Sequence, residues 1–169
     1  MDINLKGKRA LVCGASQGMG LAIAQQLATQ GADVVVMARN KASLQQAVDT
    51  LSNDDTQQHD LLLADFSQTT QVQTAIDSFV ATQPVHILIN NTGGPAPGLA
   101  TDAQPSDFTA AFNQHLICNQ ILAQAVIPGM QQAEYGRILN VISTSVKQPL
   151  PNLGVSNTIR GAVASWAKT

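Results

Sequence analysis

Glycines at positions 14, 18 and 20 follow the apolar run Arg9–Cys13 and open a helix-like run that begins Leu21-Ala22-Ile23-Ala24. A strand feeding a glycine-rich turn and then a helix is how backbone amides hold a dinucleotide pyrophosphate. Gly14 permits the tight turn, Gly18 lets the main chain approach the phosphates, and Gly20 lets helix and strand pack closely. Ser16, Gln17 and Met19 complete the cofactor-binding loop. The free N–H groups and positive dipole end of the first helical turn face the anion. About 20 residues past such a loop, a protein that prefers NAD places an acid against the ribose hydroxyls. This chain reads Ala38-Arg39 there, and Asp33 stands at the opposite end of the strand. A planar guanidinium suits a phosphate, so Arg39 favours NADP(H) over NAD(H), with the Ser16 hydroxyl as a second contact to the 2′-phosphate. A solvated arginine at a strand end is the alternative.

Apolar and amphipathic runs alternate along the chain to position these residues. Strands are expected at Arg9–Cys13, Asp33–Ala38, Asp60–Ala64, Val85–Asn90 and Arg137–Ile142, with helices at 18–30, 41–52, 68–82, 105–131 and 154–169. Parallel neighbours need crossovers, so strict alternation implies a parallel sheet covered on both faces. The expected fold class is α/β, a doubly wound Rossmann sheet ordered 3-2-1-4-5, in one nucleotide-binding domain over 1–169. The Gly/Pro-rich runs Thr92–Gly98 and Gln148–Gly154 follow strands and should rim the crevice where such sheets bind ligands. Pro95 and Pro97 stiffen the first of them.

Composition narrows the chemistry. With 169 residues, 44% of them hydrophobic, the chain can bury a sizeable core. A net charge of −2, with 12% charged residues and no basic run, argues against nucleic acid or an anionic membrane surface as partner. Cys13 and Cys118 show no metal or C-x-x-C spacing, so a reduced compartment is expected. The start, Met1-Asp2-Ile3-Asn4-Leu5-Lys6-Gly7-Lys8-Arg9, has no apolar targeting core, and no run is long enough to span a membrane. The expectation is a soluble, cytoplasmic protein. No Gly-Lys-Ser or Gly-Lys-Thr follows the glycine loop, which argues against phosphoryl transfer. Ser143 and Ser156 lack the Gly-x-Ser-x-Gly elbow of a hydrolase. His59 and His86 sit at strand starts, away from the crevice.

Four motifs fall in order on these elements: Gly14-x-x-x-Gly18-x-Gly20, Asp65 after the third strand, Asn90-Asn91-Thr92-Gly93 after the fourth, and Gly136-Arg137-Ile138 leading to Ser143. Together they resemble the short-chain dehydrogenase/reductase family, and most of all its branch related to 3-oxoacyl-carrier-protein reductases. The resemblance implies an NADP(H)-dependent oxidoreductase of a small carbonyl or alcohol substrate. It also implies that Asp65 meets the adenine amine, though an Asp just before a helix can equally be a cap. Asn90 and Gly93 line the cofactor on the same analogy, with a plain loop as the other reading. Family members usually continue through two more crossovers and a final strand. Here Ser165–Thr169 ends inside a helix without a Gly or Pro stop, so the expected domain lacks the family's last strands and leaves an open edge on the fifth. Oligomerisation through the helices at 105–131 and 154–169 is the family's habit.

The family's Asn, Ser, Tyr and Lys are only partly matched. Aligned from Gly136-Arg137-Ile138, the serine is Ser143, the tyrosine position holds Ser156, the lysine position Arg160, and the asparagine position His115. A serine hydroxyl is a far weaker acid than tyrosine, and arginine does not give up its proton. Arg160 could stabilise an oxyanion or hold a substrate carboxylate, and Ser143 could donate to the same oxygen. His115 is left as the proton donor expected to titrate near neutrality. Helical spacing puts it with Phe108, Phe112, Leu116, Asn119 and Leu122 on or beside the inward face. A hydrogen-bonded core histidine is its competing reading, and a helix cap is that of Ser156. The altered set also admits a non-catalytic NADP(H)-binding sensor or scaffold, or a fragment inactive by itself.

Overall fold

Short apolar runs that contain Val, Ile and Leu and sit between polar turns form buried strands, and five of them do so here. A computed structural model describes residues 4–169. Met1, Asp2 and Ile3 of the N-terminal segment considered above lie outside the described residues. Strands β1 (Arg9–Cys13), β2 (Asp33–Ala38), β3 (Asp60–Leu63), β4 (Ile87–Asn90) and β5 (Arg137–Asn140) form one parallel sheet, ordered β3-β2-β1-β4-β5. The expected order therefore holds. Strand β5 is outermost, and Leu139 on it is 51% exposed.

Successive strand residues point to opposite faces, which divides the core in two. Ala10, Val12, Val34, Val36, Ile87 and Ile89 face α1 (Gly18–Thr29) and α2 (Lys41–Asp49). Leu11, Val35, Met37 and Leu88 face α3 (Thr69–Val80) and α5 (Cys118–Gln132). Free Cys13 and Cys118 are buried in this second layer. A smaller cluster of Ala111, Val155 and Ile159 joins α4 (Pro105–Phe112) to α6 (Gly154–Lys168). Helix α4 starts cleanly because Pro105 occupies its first turn and Asp107 reaches back to the Gln104 N–H at 2.9 Å.

The expected helix over 105–131 is one helical path with a defect. Between α4 and α5, residues 113–117 form a π turn, with helical backbone angles at Phe112, Asn113, Ile117 and Cys118. A π turn inserts a residue and advances the side-chain phase, so a 3.6-residue count carried through it misplaces one face. Phe112 is the casualty, 40% exposed rather than inward, whereas His115 on the turn is buried.

The two Gly/Pro-rich loops meet. Gly98 N–H donates to Asn152 O at 2.8 Å, and Gly154 N–H donates to Gly98 O at 3.0 Å. Away from the crevice, His86 Nδ1 accepts from Arg9 N–H at 2.9 Å and His59 Nδ1 from Val34 N–H at 3.1 Å, so both rings continue the strand ladder. Among the described residues no helix is long and apolar enough to cross a membrane.

Candidate functional site

The glycine turn divides its work among three positions. Gly14 has φ +59°, and a Cβ there would lie 2.6 Å from Asn91 O, so the residue that follows β4 approaches within a distance only glycine allows. At Gly20 a Cβ would overlap Gly14 O and come within 2.8 Å of Asn91 Nδ2. Gly20 thus sits behind the turn as a packing residue. Gly18, at φ +58°, has open space where its Cβ would be. Asn91 binds the turn to β4, its Nδ2 donating to Cys13 O at 3.2 Å and Gly14 O at 3.4 Å. Helix α1 has no side-chain cap at Gln17 and no acid in its first turn, so its leading N–H groups are left for solvent or an anion.

Beside the turn lies a cavity of about 530 Å³, lined by Gly14, Ser16, Gln17, Gly18, Met19, Arg39, Asp65 and Gly93. Arg39 is exposed at its rim. Asp65 Oδ1 accepts from Ser67 N–H at 2.9 Å, as a turn-capping residue does. The Ser67 main-chain and side-chain bonds, with the Arg39 guanidinium opposite, hold its carboxyl below the usual range. Asp65 therefore caps a turn and walls the cavity at once. Asn90 does not line it. That side chain is 3% exposed, and its Nδ2 donates to Asn140 Oδ1 at 2.8 Å, because the last residue of β4 faces its register partner on β5. Open space at Gly18, uncapped amides and a facing guanidinium fit a dinucleotide with a phosphorylated ribose.

The second group gathers where α6 crosses the ends of β4 and β5. Ser143 Oγ accepts from Ser145 N–H at 3.1 Å and caps the short 3-10 turn 144–146, which leaves its proton free to donate. Ser156 lies within the first turn of α6, whose cap is Leu153, so the cap reading of Ser156 does not hold. One turn further, Arg160 Nη1 donates to Val141 O at 2.8 Å and Nη2 to Thr92 O at 3.5 Å. No carboxylate pairs with Arg160 among the described residues. His115 is 2% exposed, with Nδ1 at 2.7 Å from Thr92 Oγ1. Burial, with the Arg160 charge second, pushes its pKa down to about 4. The expectation that His115 titrates near neutrality thus fails, since desolvation disfavours the charged ring. It is a neutral imidazole at pH 7.

Thr92, Asn91, Asn140 and Gln114 were not singled out as site residues by sequence reasoning. Gln114 donates to Gly93 O at 3.1 Å and also lines the cavity. Adjacency of Asn91 and Thr92 to Asn90 was the available signal. Asn140 and Gln114 carry none, because their roles arise from strand register and from the π turn.

Residues 8–169 match the family described as short chain dehydrogenase. The human protein named inactive hydroxysteroid dehydrogenase-like protein 1 is 29% identical over 149 residues, 87% of this chain and 45% of that protein. The 3-oxoacyl-(acyl-carrier-protein) reductase FabG of Chlamydia trachomatis is 31% identical over 82% of this chain and 56% of its own length. The chain thus spans about half the length of these curated relatives. Among solved structures, L-sorbose reductase from Gluconobacter frateurii, complexed with NADPH and L-sorbose, superposes with a TM-score of 0.92 at 27% identity, covering 99% of this chain and 64% of that one.

Proposed function

The chain belongs to the short-chain dehydrogenase family, and from that premise we propose that it is the nucleotide-binding part of an NADP(H)-dependent oxidoreductase acting on a small carbonyl or alcohol. The observation that carries this reading is the open glycine turn beside a cavity whose rim bears Arg39 and, at that position, no acid. When bound, the nicotinamide supplies or accepts a hydride. Reduction of a carbonyl builds negative charge on oxygen, which must be stabilised and then protonated. Ser143 has a hydroxyl proton to offer that oxygen, and Arg160 a fixed positive charge. His115, neutral at pH 7, contributes a hydrogen bond rather than an imidazolium proton. The Ser156 hydroxyl makes no side-chain hydrogen bond among the described residues and stands as a candidate contact to substrate. The proton itself then comes from water, passed on by the Ser143 hydroxyl, with Arg160 stabilising the charge but not relaying it. The buried free cysteines accord with a reducing, cytoplasmic setting, and self-association through α4, α5 and α6 completes the reading.

Titration of NADPH and NADH by calorimetry, followed by absorbance assays with ketones and 3-oxoacyl thioesters, tests the proposal on this chain and on a form extended to its relatives' length. Absence of nucleotide binding by both forms would remove it. A second reading, a non-catalytic NADP(H) sensor or scaffold, is favoured by the serine at position 156 and by the relative named inactive. Saturable binding with no turnover across the panel would favour that reading.

A further inference from the structure

Thr92 is where β4, the π turn and α6 are joined. Its hydroxyl stands 2.7 Å from His115 Nδ1, and its carbonyl oxygen accepts from Arg160 Nη2 at 3.5 Å. The same guanidinium holds Val141 O at 2.8 Å, so the segments leaving β4 and β5 are tied together beneath the imidazole. His115 Nε2 is buried and has no partner among the described residues. A buried polar atom without a partner calls for a reason, and inside a cluster of bonded polar groups the usual one is a missing ligand or water. The neutral ring has one N–H and one lone pair, and the bond made at one nitrogen determines what the other can offer.

We propose that Thr92 is a positioning residue whose hydroxyl donates to His115 Nδ1, which fixes the ring's orientation, places its proton on Nε2 and leaves Nε2–H as the single ring group able to bond an oxygen of a bound molecule. Its catalytic meaning rests on the oxidoreductase reading, while its geometry does not. Arg160 supports the arrangement twice, by holding the Thr92 main chain and by keeping a second positive charge off the ring. Without the hydroxyl, a neutral imidazole exchanges between two tautomers that differ little in energy, and Nε2 alternates between donor and acceptor.

Nitrogen NMR of the labelled chain at pH 7 reads this directly, without nucleotide or turnover, so its failure is separable from failure of the oxidoreductase reading. In the unaltered chain His115 should show one protonated and one bare ring nitrogen. Thr92→Val, nearly the same shape without the hydroxyl, should lose that signature and give averaged or reversed ring signals; Thr92→Ser should restore it. Ring signals of His115 unchanged in Thr92→Val would overturn the proposal. His59 and His86, whose Nδ1 atoms accept from main-chain N–H groups, report whether the variant keeps its fold. Should their signals also collapse, the unaltered chain decides alone: two averaged His115 nitrogens there would equally overturn it.

Discussion

Replacing His115 with glutamine should flatten part of the protein's acid sensitivity. The ring titrates at 6.5 in an unfolded chain and at about 4 in the fold. Above 6.5 both states are neutral and nothing is lost. As pH falls through the window from 6.5 to 4, the unfolded chain takes up the proton first, so the native state loses stability, and below 4 the loss is complete. At pH 5 linkage sets the deficit through this one ring at about 2 kcal/mol relative to pH 7, and solvent at the rim of the site reduces it to about 1–2 kcal/mol. His86 is also shifted down, by burial first and then by Lys8 and Arg9, and Asp65 is shifted down as well. These groups are common to both proteins and cancel in the comparison. Urea unfolding followed by circular dichroism at pH 7, 6 and 5 measures the difference. Stability curves of the unaltered chain and His115→Gln that fall in parallel would refute the reasoning.

The glycine turn separates packing from binding. Gly20→Ala forces a Cβ into the Gly14 carbonyl and should cost about 3 kcal/mol by urea unfolding. Gly18→Ala meets no atom and should cost only the about 1 kcal/mol of a left-handed backbone, while weakening NADPH binding measured by calorimetry. Equal destabilisation by the two would contradict the geometry. Arg39→Ala should weaken NADPH about 10- to 100-fold in fluorescence titration and leave NADH nearly unchanged, as expected for a lost charged hydrogen bond. Arg160→Met keeps the stem but strips donors from Val141 O and Thr92 O, at about 1–3 kcal/mol, and should raise the His115 pKa observed by NMR. A His115 titration unmoved in that variant would show that burial alone sets its value.

Much of the fold was legible because its information is local. Apolar runs such as Asp33–Ala38 and Arg9–Cys13 coincide with β2 and β1, since a strand buried on both faces leaves an uninterrupted hydrophobic record. The runs at Val85 and Arg137 were read longer than β4 and β5, because apolar residues beyond a strand's paired length look the same in sequence. The cofactor side was legible for a related reason. What the structure shows of Gly14, Gly18 and Arg39 is their own backbone angles, missing side chains or exposed charge.

The other half of the site depended on neighbours far along the chain. Alignment with the family's motifs picked out Ser143, His115, Ser156 and Arg160 as the polar set, and the neutral histidine, the clasped loops and the withdrawn Asn90 followed only from contacts. His115 carries an ordinary titratable side chain in sequence; it becomes a poor base, and so holds no extra proton at pH 7, because burial disfavours its charged form and Arg160 stands beside it. Asn90 reads as a loop ligand until strand register turns its amide toward Asn140. The amino-acid order by itself determined the alternation of strands and helices, the sheet order and the tight glycine turn, because backbone propensity, side-chain period and glycine stereochemistry are written within a few residues. Protonation state, hydrogen-bond partner and access to the crevice were decided by tertiary structure, because dielectric and distance belong to the folded surroundings and not to any one residue.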